Sequence, residues 1–194
     1  MKKPCSSNKE LSLYSNTGIE KVQRVLVRFP EREFSLSDLA QEAGVAKANI
    51  GKILEWLYKI DFIRIEKLTK IWRIRANQGS PNYTKIKIIF NLTGIYMSGL
   101  IETLNEKYRN PKAIILFGSY RKGEDISTSD IDIAIEMDEI TKYKTVRIKE
   151  LETIEKKLCR KIQIHFFNRK AVDINLFNNI ANGIVLSGFL EVRP

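Results

Sequence analysis

The sequence predicts a two-domain α/β (α+β) chain: a small helical module closed by two short strands, then a mixed sheet with flanking helices. Three observations predict it. Residues 15 to 80 pass from helical apolar spacing to strand-like alternation. Asn77-Gln78-Gly79-Ser80-Pro81-Asn82 is a run of turn formers without an apolar anchor, which marks a boundary. Ala113–Glu136 reads as two apolar strands around a Gly-Ser turn, the second carrying Asp130 and Asp132 on one face.

Bulk properties narrow the classes. The 194 residues suffice for one large core or two of about 80 to 110 residues each. A formal charge of +10 favours a polyanionic partner, and it is shared. Residues 1–82 hold 15 Lys and Arg against 9 Asp and Glu, and residues 83–194 hold 18 against 14. Cys5 and Cys159 have neither disulfide-framework nor metal-ligand spacing, and one histidine, His165, argues against structural zinc. The start MKKPCSSNKE lacks the apolar run of a secretory signal. Ile86–Leu104 is too polar for a membrane span. The expectation is a soluble cytoplasmic protein without a membrane partner.

In the first module, Ile19–Arg28 has apolar residues at Ile19, Val22, Val25 and Leu26 and ends before Phe29-Pro30, as a helix should. Phe34-Ser35-Leu36 leads into a helix over Ser37–Ala43, with Ser35 or Ser37 as cap and Gly44 as stop. A further helix from Ala46 or Lys47 to Tyr58 buries Ile50, Ile53, Leu54 and Leu57. Two helices so close around a glycine have helix-turn-helix spacing. Phe62–Glu66 and Lys70–Arg75 then alternate as two short strands joined at Leu68-Thr69. Here residues 15–80 resemble the winged helix-turn-helix families of prokaryotic regulators, with Leu39-Ala40 and Gly44-Val45 framing the turn. The resemblance implies double-stranded DNA as partner. Lys47, Ala48, Asn49 and Lys52 face the major groove in that reading, and Lys70, Arg73 and Arg75 meet phosphates. The bland alternative is a protein-docking winged helix with an ordinary wet face. Trp56 and Trp72 read as core residues.

Residues 83–110 form a connector, helical over Ile95–Lys107 and weakened at Gly94 and Gly99. It packs either on the following domain or on a second copy, the latter giving a homodimer. In residues 111–190, Ala113–Phe117 is a buried strand. Gly118-Ser119 lets backbone amides and a hydroxyl approach phosphate, and a short helix from Tyr120 aims its N-terminus at the same place. Asp130 and Asp132, about 7 Å apart along one strand face, can bracket divalent ions on a triphosphate. Glu124 and Asp125 stand near them in sequence, making a like-charge cluster that needs cations.

Gly118, Ser119, Gly123, Ser129, Asp130 and Asp132, beside two apolar strands, resemble the DNA polymerase beta-like nucleotidyltransferase superfamily, in particular its minimal prokaryotic members. The resemblance spans about Lys112 to Leu186. Lys122 stands where an arginine is common, which keeps the charge and loses the fork. What the resemblance implies is a mixed sheet, Mg²⁺ or Mn²⁺, an NTP, and transfer of a nucleoside monophosphate with release of pyrophosphate. It also implies a small helical protein partner of the kind encoded beside many minimal members.

The departure is on the next strand. After a helical, charged stretch, Tyr143–Leu158, the run Lys161–Phe167 supplies Gln163 and His165 where the family carries its third acid. Gln163 is the better positional match. His165 could act as a base, or be structural; Asp173 reads as a helix cap. Asp130, Asp132, Gln163 and His165 are therefore the catalytic candidates, Asp130 and Asp132 the metal ligands, and Gly118, Ser119 and Lys122 the phosphate binders. The leading expectation is a DNA-targeted nucleotidyltransferase acting on a protein or nucleic-acid acceptor. Its rival is a DNA-binding transcription regulator whose impaired catalytic fold senses a nucleotide or a partner.

Overall fold

A computed structural model of the chain describes residues 17–68 and 72–192. Cys5 and the rest of MKKPCSSNKE, and Thr69, Lys70 and Ile71 of the expected wing, lie outside the described residues. Two compact units meet in sequence between Phe90 and Asn91.

The first unit opens with α1 (Gly18–Arg28), started by a capping box in which Thr17 and Glu20 each accept the other's backbone N–H. Its buried side is Val22, Val25 and Leu26. Helix α2 (Leu36–Ala43) takes Ser35 as cap rather than Ser37, and Gly44 ends it at φ 61°, a left-handed stop suited to glycine. Helix α3 (Lys47–Lys59) buries Ile50, Ile53, Leu54 and Leu57. Strands β1 (Ile63–Lys67) and β2 (Trp72–Ala76) pair antiparallel, and Phe34 is bridged to Ile74. This order is a winged helix. Phe34, Phe62 and Ile74 close its core together with the helices' apolar stripes. The expectation for Trp56 was wrong: it stands on the flank of that stripe and is 43% exposed. Trp72 is half-buried against the core, with Lys67 Nζ 4.5 Å from its ring centre.

Residues 77–82 are tied back to this unit. Asn77 Nδ2 donates to the backbone carbonyl and carboxylate of Asp61 at 3.1 and 2.9 Å, and Asn82 Nδ2 donates to the Ile60 carbonyl at 3.0 Å. Helix α4 (Pro81–Met97) then runs past the unit division, and α5 (Leu100–Lys107) follows. A single helix over Ile95–Lys107 does not form, because Gly99 adopts φ 82° and Ser98 caps the break on both sides.

In the second unit, β3 (Ala113–Phe117), α6 (Gly118–Lys122), β4 (Ile131–Glu136) and β5 (Lys144–Val146) come first. A 3₁₀ turn (Lys149–Leu151), α7 (Glu152–Leu158), β6 (Ile162–Phe167), α8 (Ile174–Ala181) and β7 (Ile184–Gly188) follow. The helix expected from Tyr143 is thus a strand first, and helix only from Glu152. The strands form one mixed sheet in the order β5-β6-β4-β3-β7, parallel only between β4 and β6.

Period-two alternation gives the sheet two faces. Ile114, Leu116, Ile133, Ile135, Ile164 and Phe166 pack under α5 and α7. The opposite face carries a smaller apolar cluster, Ala113, Ile115, Phe117, Ala134 and Phe167, packed with Ile180 of α8. Asp173 caps α8 by accepting from the backbone N–H groups of Asn175 and Leu176.

Candidate active site

Asp132 is on the same face as that smaller cluster. Its in-register neighbours are Phe117 on β3 and Gln163 on β6, and His165 pairs with Ala134 one step further. Parallel register points Asp132, Gln163 and His165 the same way, so residues about 30 apart in sequence meet by topology. His165 Nε2 lies 3.1 Å from Asp132 Oδ1. Gln163 sits half-buried beside Asp132, its amide without a hydrogen-bond partner among the described residues.

Gly118 determines how close Asp132 can come. Its φ is 74°, and a Cβ there would fall within contact distance of Asp132 Oδ2. No other residue type leaves that space. Ser119 follows, half-buried, and Lys122 is exposed in the last turn of α6. Tyr120 anchors this short helix from below, its phenol pushed up by burial and so kept neutral. The loop back to β4 is held by Ser129, whose hydroxyl accepts the Ile126 N–H at 2.9 Å.

Asp130 stands just before β4 and meets Arg147 Nη2 at 2.9 Å. The arginine side chain is 60% exposed, so the pair is solvated and readily exchanged. Asp125 does not join the carboxylate cluster. It is 1% exposed, paired with Arg160 at 3.4 Å and accepting from Asn91 Nδ2 at 2.9 Å, which makes it part of the core.

Three further residues face the site from β5 and its flanks. Tyr143 and Thr145 reach His165, the Tyr143 hydroxyl bonding its Nδ1, while Arg147 reaches Asp130. Reading Tyr143–Leu158 as helix hid them, although Tyr-Lys-Thr-Val-Arg alternates in the way an edge strand does.

Among the described residues, no three of His, Cys, Asp and Glu are grouped to hold a metal ion. The donor set still fits a divalent ion that arrives with phosphates. Such an ion takes one or two carboxylates from the protein and fills its shell with phosphate and water oxygens.

Residues 99–188 match the family described as Polymerase beta, Nucleotidyltransferase. The C-terminal domain is a nucleotidyltransferase domain. No curated protein matches the chain. Among solved structures, the chain is 12% identical to a cysteine-to-serine mutant of Lactococcus lactis ZitR, over 54% of this chain and 67% of that one, with TM-score 0.36. The same mutant in complex with DNA gives 13% identity, 53% and 66% coverage and TM-score 0.36. The adhesin competence repressor AdcR from Streptococcus pyogenes gives 18%, 46% and 61%, with TM-score 0.30.

In the winged helix, Lys47, Ala48, Asn49 and Lys52 are all exposed at the start of α3. Arg73 and Arg75 are exposed on β2, and Arg75 stands directly opposite Arg64 of β1. Arg73 is 3.9 Å from both Glu33 and Glu66, while Arg64 is 3.9 Å from Asp61. Opposed like charges destabilise a hairpin unless an anion joins them.

Proposed function

We propose that this protein is a DNA-targeted, Mg²⁺- or Mn²⁺-dependent nucleotidyltransferase that moves a nucleoside monophosphate from an NTP to a protein or nucleic-acid hydroxyl. One observation carries the reading: Asp132 is drawn against the Gly118 turn, in register with Gln163 and with Asp130 just ahead of it, in a domain of nucleotidyltransferase type.

In this reading the backbone N–H groups of Gly118 and Ser119, with the Ser119 hydroxyl, donate to the triphosphate, and Lys122 adds positive charge. Asp130 and Asp132 would hold divalent metal ions, whose positive charge would offset that of the triphosphate. Asp130 exchanges Arg147 for this role. His165 fixes the Asp132 carboxylate, and Gln163 offers a neutral oxygen where an acid would offer charge. The recognition surface is the start of α3, with Asn49 reading base edges and Lys47 and Lys52 meeting bases or phosphates. Arg73 and Arg75 contact backbone phosphates.

The missing third carboxylate at Gln163 favours one alternative, a DNA-binding transcription regulator in which the site binds a nucleotide or a partner without turnover. Incubation with α-labelled NTPs, Mg²⁺ or Mn²⁺ and a lysate of the source cells separates the two. Label transferred by the wild type and lost in Asp130→Asn/Asp132→Asn establishes the enzyme. NTP binding without transfer to any acceptor establishes the sensor.

A further inference from the structure

A guanidinium stands on a carboxylate that the proposed function assigns to a metal ion. Arg147 Nη2 donates to Asp130 Oδ2 at 2.9 Å. Arg147 follows β5, and Thr145, two positions earlier, has its hydroxyl 3.5 Å from His165 Nδ1 on the sheet face that carries Asp132. Period two places Arg147 on that face as well. The register of β5 on β6 ends with Val146 against Ile164, one residue short of Gln163. Arg147 therefore leaves the sheet edge level with Gln163, the neutral residue in register with Asp132.

The pair does little for the fold, because the arginine side chain is 60% exposed and solvent screens the charges. Its position matters more. A divalent ion held by a carboxylate and by substrate phosphates puts both kinds of oxygen in one coordination shell. A guanidinium hydrogen-bonded to that carboxylate is then within side-chain reach of the phosphates, and its planar fork of donors suits them. Ion and guanidinium compete for Asp130, while a triphosphate offers the displaced arginine a second anion.

We propose that Arg147 is a triphosphate-binding residue: it pairs with Asp130 in the nucleotide-free protein and moves to phosphate oxygens when metal and NTP bind. The inference rests on the nucleotidyltransferase reading above and adds a cation from the sheet edge to Lys122 of α6. Exchange of partners gives Arg147 opposite effects on two equilibria. It opposes a metal ion that arrives alone, and it favours the same ion arriving with a triphosphate.

The test measures both equilibria on the full chain at low ionic strength. Mn²⁺ alone is titrated by electron paramagnetic resonance, and each of the four α,β-imido NTPs by calorimetry at saturating Mn²⁺. Arg147→Gln should bind Mn²⁺ alone about two- to five-fold more tightly, and the nucleotide with Mn²⁺ roughly ten-fold or more weakly. Arg147→Lys keeps the charge and loses the fork, so its nucleotide affinity should fall between those of wild type and Arg147→Gln. The urea midpoints of both variants should stay at the wild-type value, which separates lost binding from lost fold. Unchanged nucleotide affinity in Arg147→Gln would overturn the inference and leave the nucleotidyltransferase reading standing. A parallel loss of Mn²⁺ and nucleotide binding would overturn it too, as the mark of a purely structural role. Wild-type protein that binds neither Mn²⁺ nor any of the four nucleotides would remove both readings.

Discussion

At the scale of single residues, Gly118 and Asp132 are one device. The left-handed backbone at Gly118 and the absent Cβ let the carboxylate lie against the turn. Gly118→Ala should cost roughly 1–2 kcal/mol from the backbone alone, and push Asp132 out of place. Urea unfolding should show the loss, and calorimetric titration of Mg-NTP should show weakened binding; unchanged binding would detach Gly118 from the site. Glu136, on the same strand, gives a pH prediction. Burial raises its carboxyl above the ordinary 4.5, against the pull of Arg169 and Lys112. The fold therefore holds this proton to higher pH than the unfolded chain does, and the Glu136 contribution to stability falls as pH rises from 4.5 through the raised value. Glu136→Gln has no such titration, so its stability relative to wild type should climb across that window in pH-dependent denaturation. Asp130, Asp132, Gly118 and Ser119 were legible because a turn and a period-two strand fix them locally. The His165–Asp132 contact was not, since it depends on the β4–β6 register, which no local spacing contains.

At the scale of elements, the helices and strands of the winged helix were legible, because the Ser35 cap, the Gly44 stop and the apolar stripes of the helices are local signals, whereas the Thr17 cap of α1 went unread. The edge strand β5 was not. Three paired residues followed by a 3₁₀ turn and a charged helix give strand alternation too little length to stand out. In the proposed function the same elements separate two kinds of DNA contact. If Asn49 on α3 reads base edges as proposed, Asn49→Ala should lower discrimination between sites by about 1–3 kcal/mol with non-specific affinity kept. With the proposed phosphate contact removed in Arg73→Ala on β2, all sequences should weaken together and the slope of log K against log salt should lose about one unit. Fluorescence anisotropy across a salt series distinguishes these outcomes. An Asn49→Ala protein with unchanged site preference would remove α3 from the recognition role.

At the scale of the whole molecule, the two units carry separate cores, the first from Val22 to Tyr83 and the second from Ile95 to Leu190. Positive charge is likewise divided between the halves, so a polyanion could be held by either, and charge alone does not say which unit binds it. Stability offers a cleaner division. Trp56 and Trp72 are the sequence's two tryptophans, and both lie in the unit ending at Phe90, so tryptophan emission follows that unit while far-ultraviolet circular dichroism follows both. Ile133 is fully buried in the middle of β4, in the other core. Ile133→Ala should cost about 2–5 kcal/mol through the cavity it leaves. In urea, the dichroism of the variant should lose its second-unit component at lower concentration while the tryptophan transition stays at the wild-type midpoint. If both probes shift together, the separate cores unfold as one cooperative system, and the shared helix α4 is the covalent element through which a loss in one reaches the other.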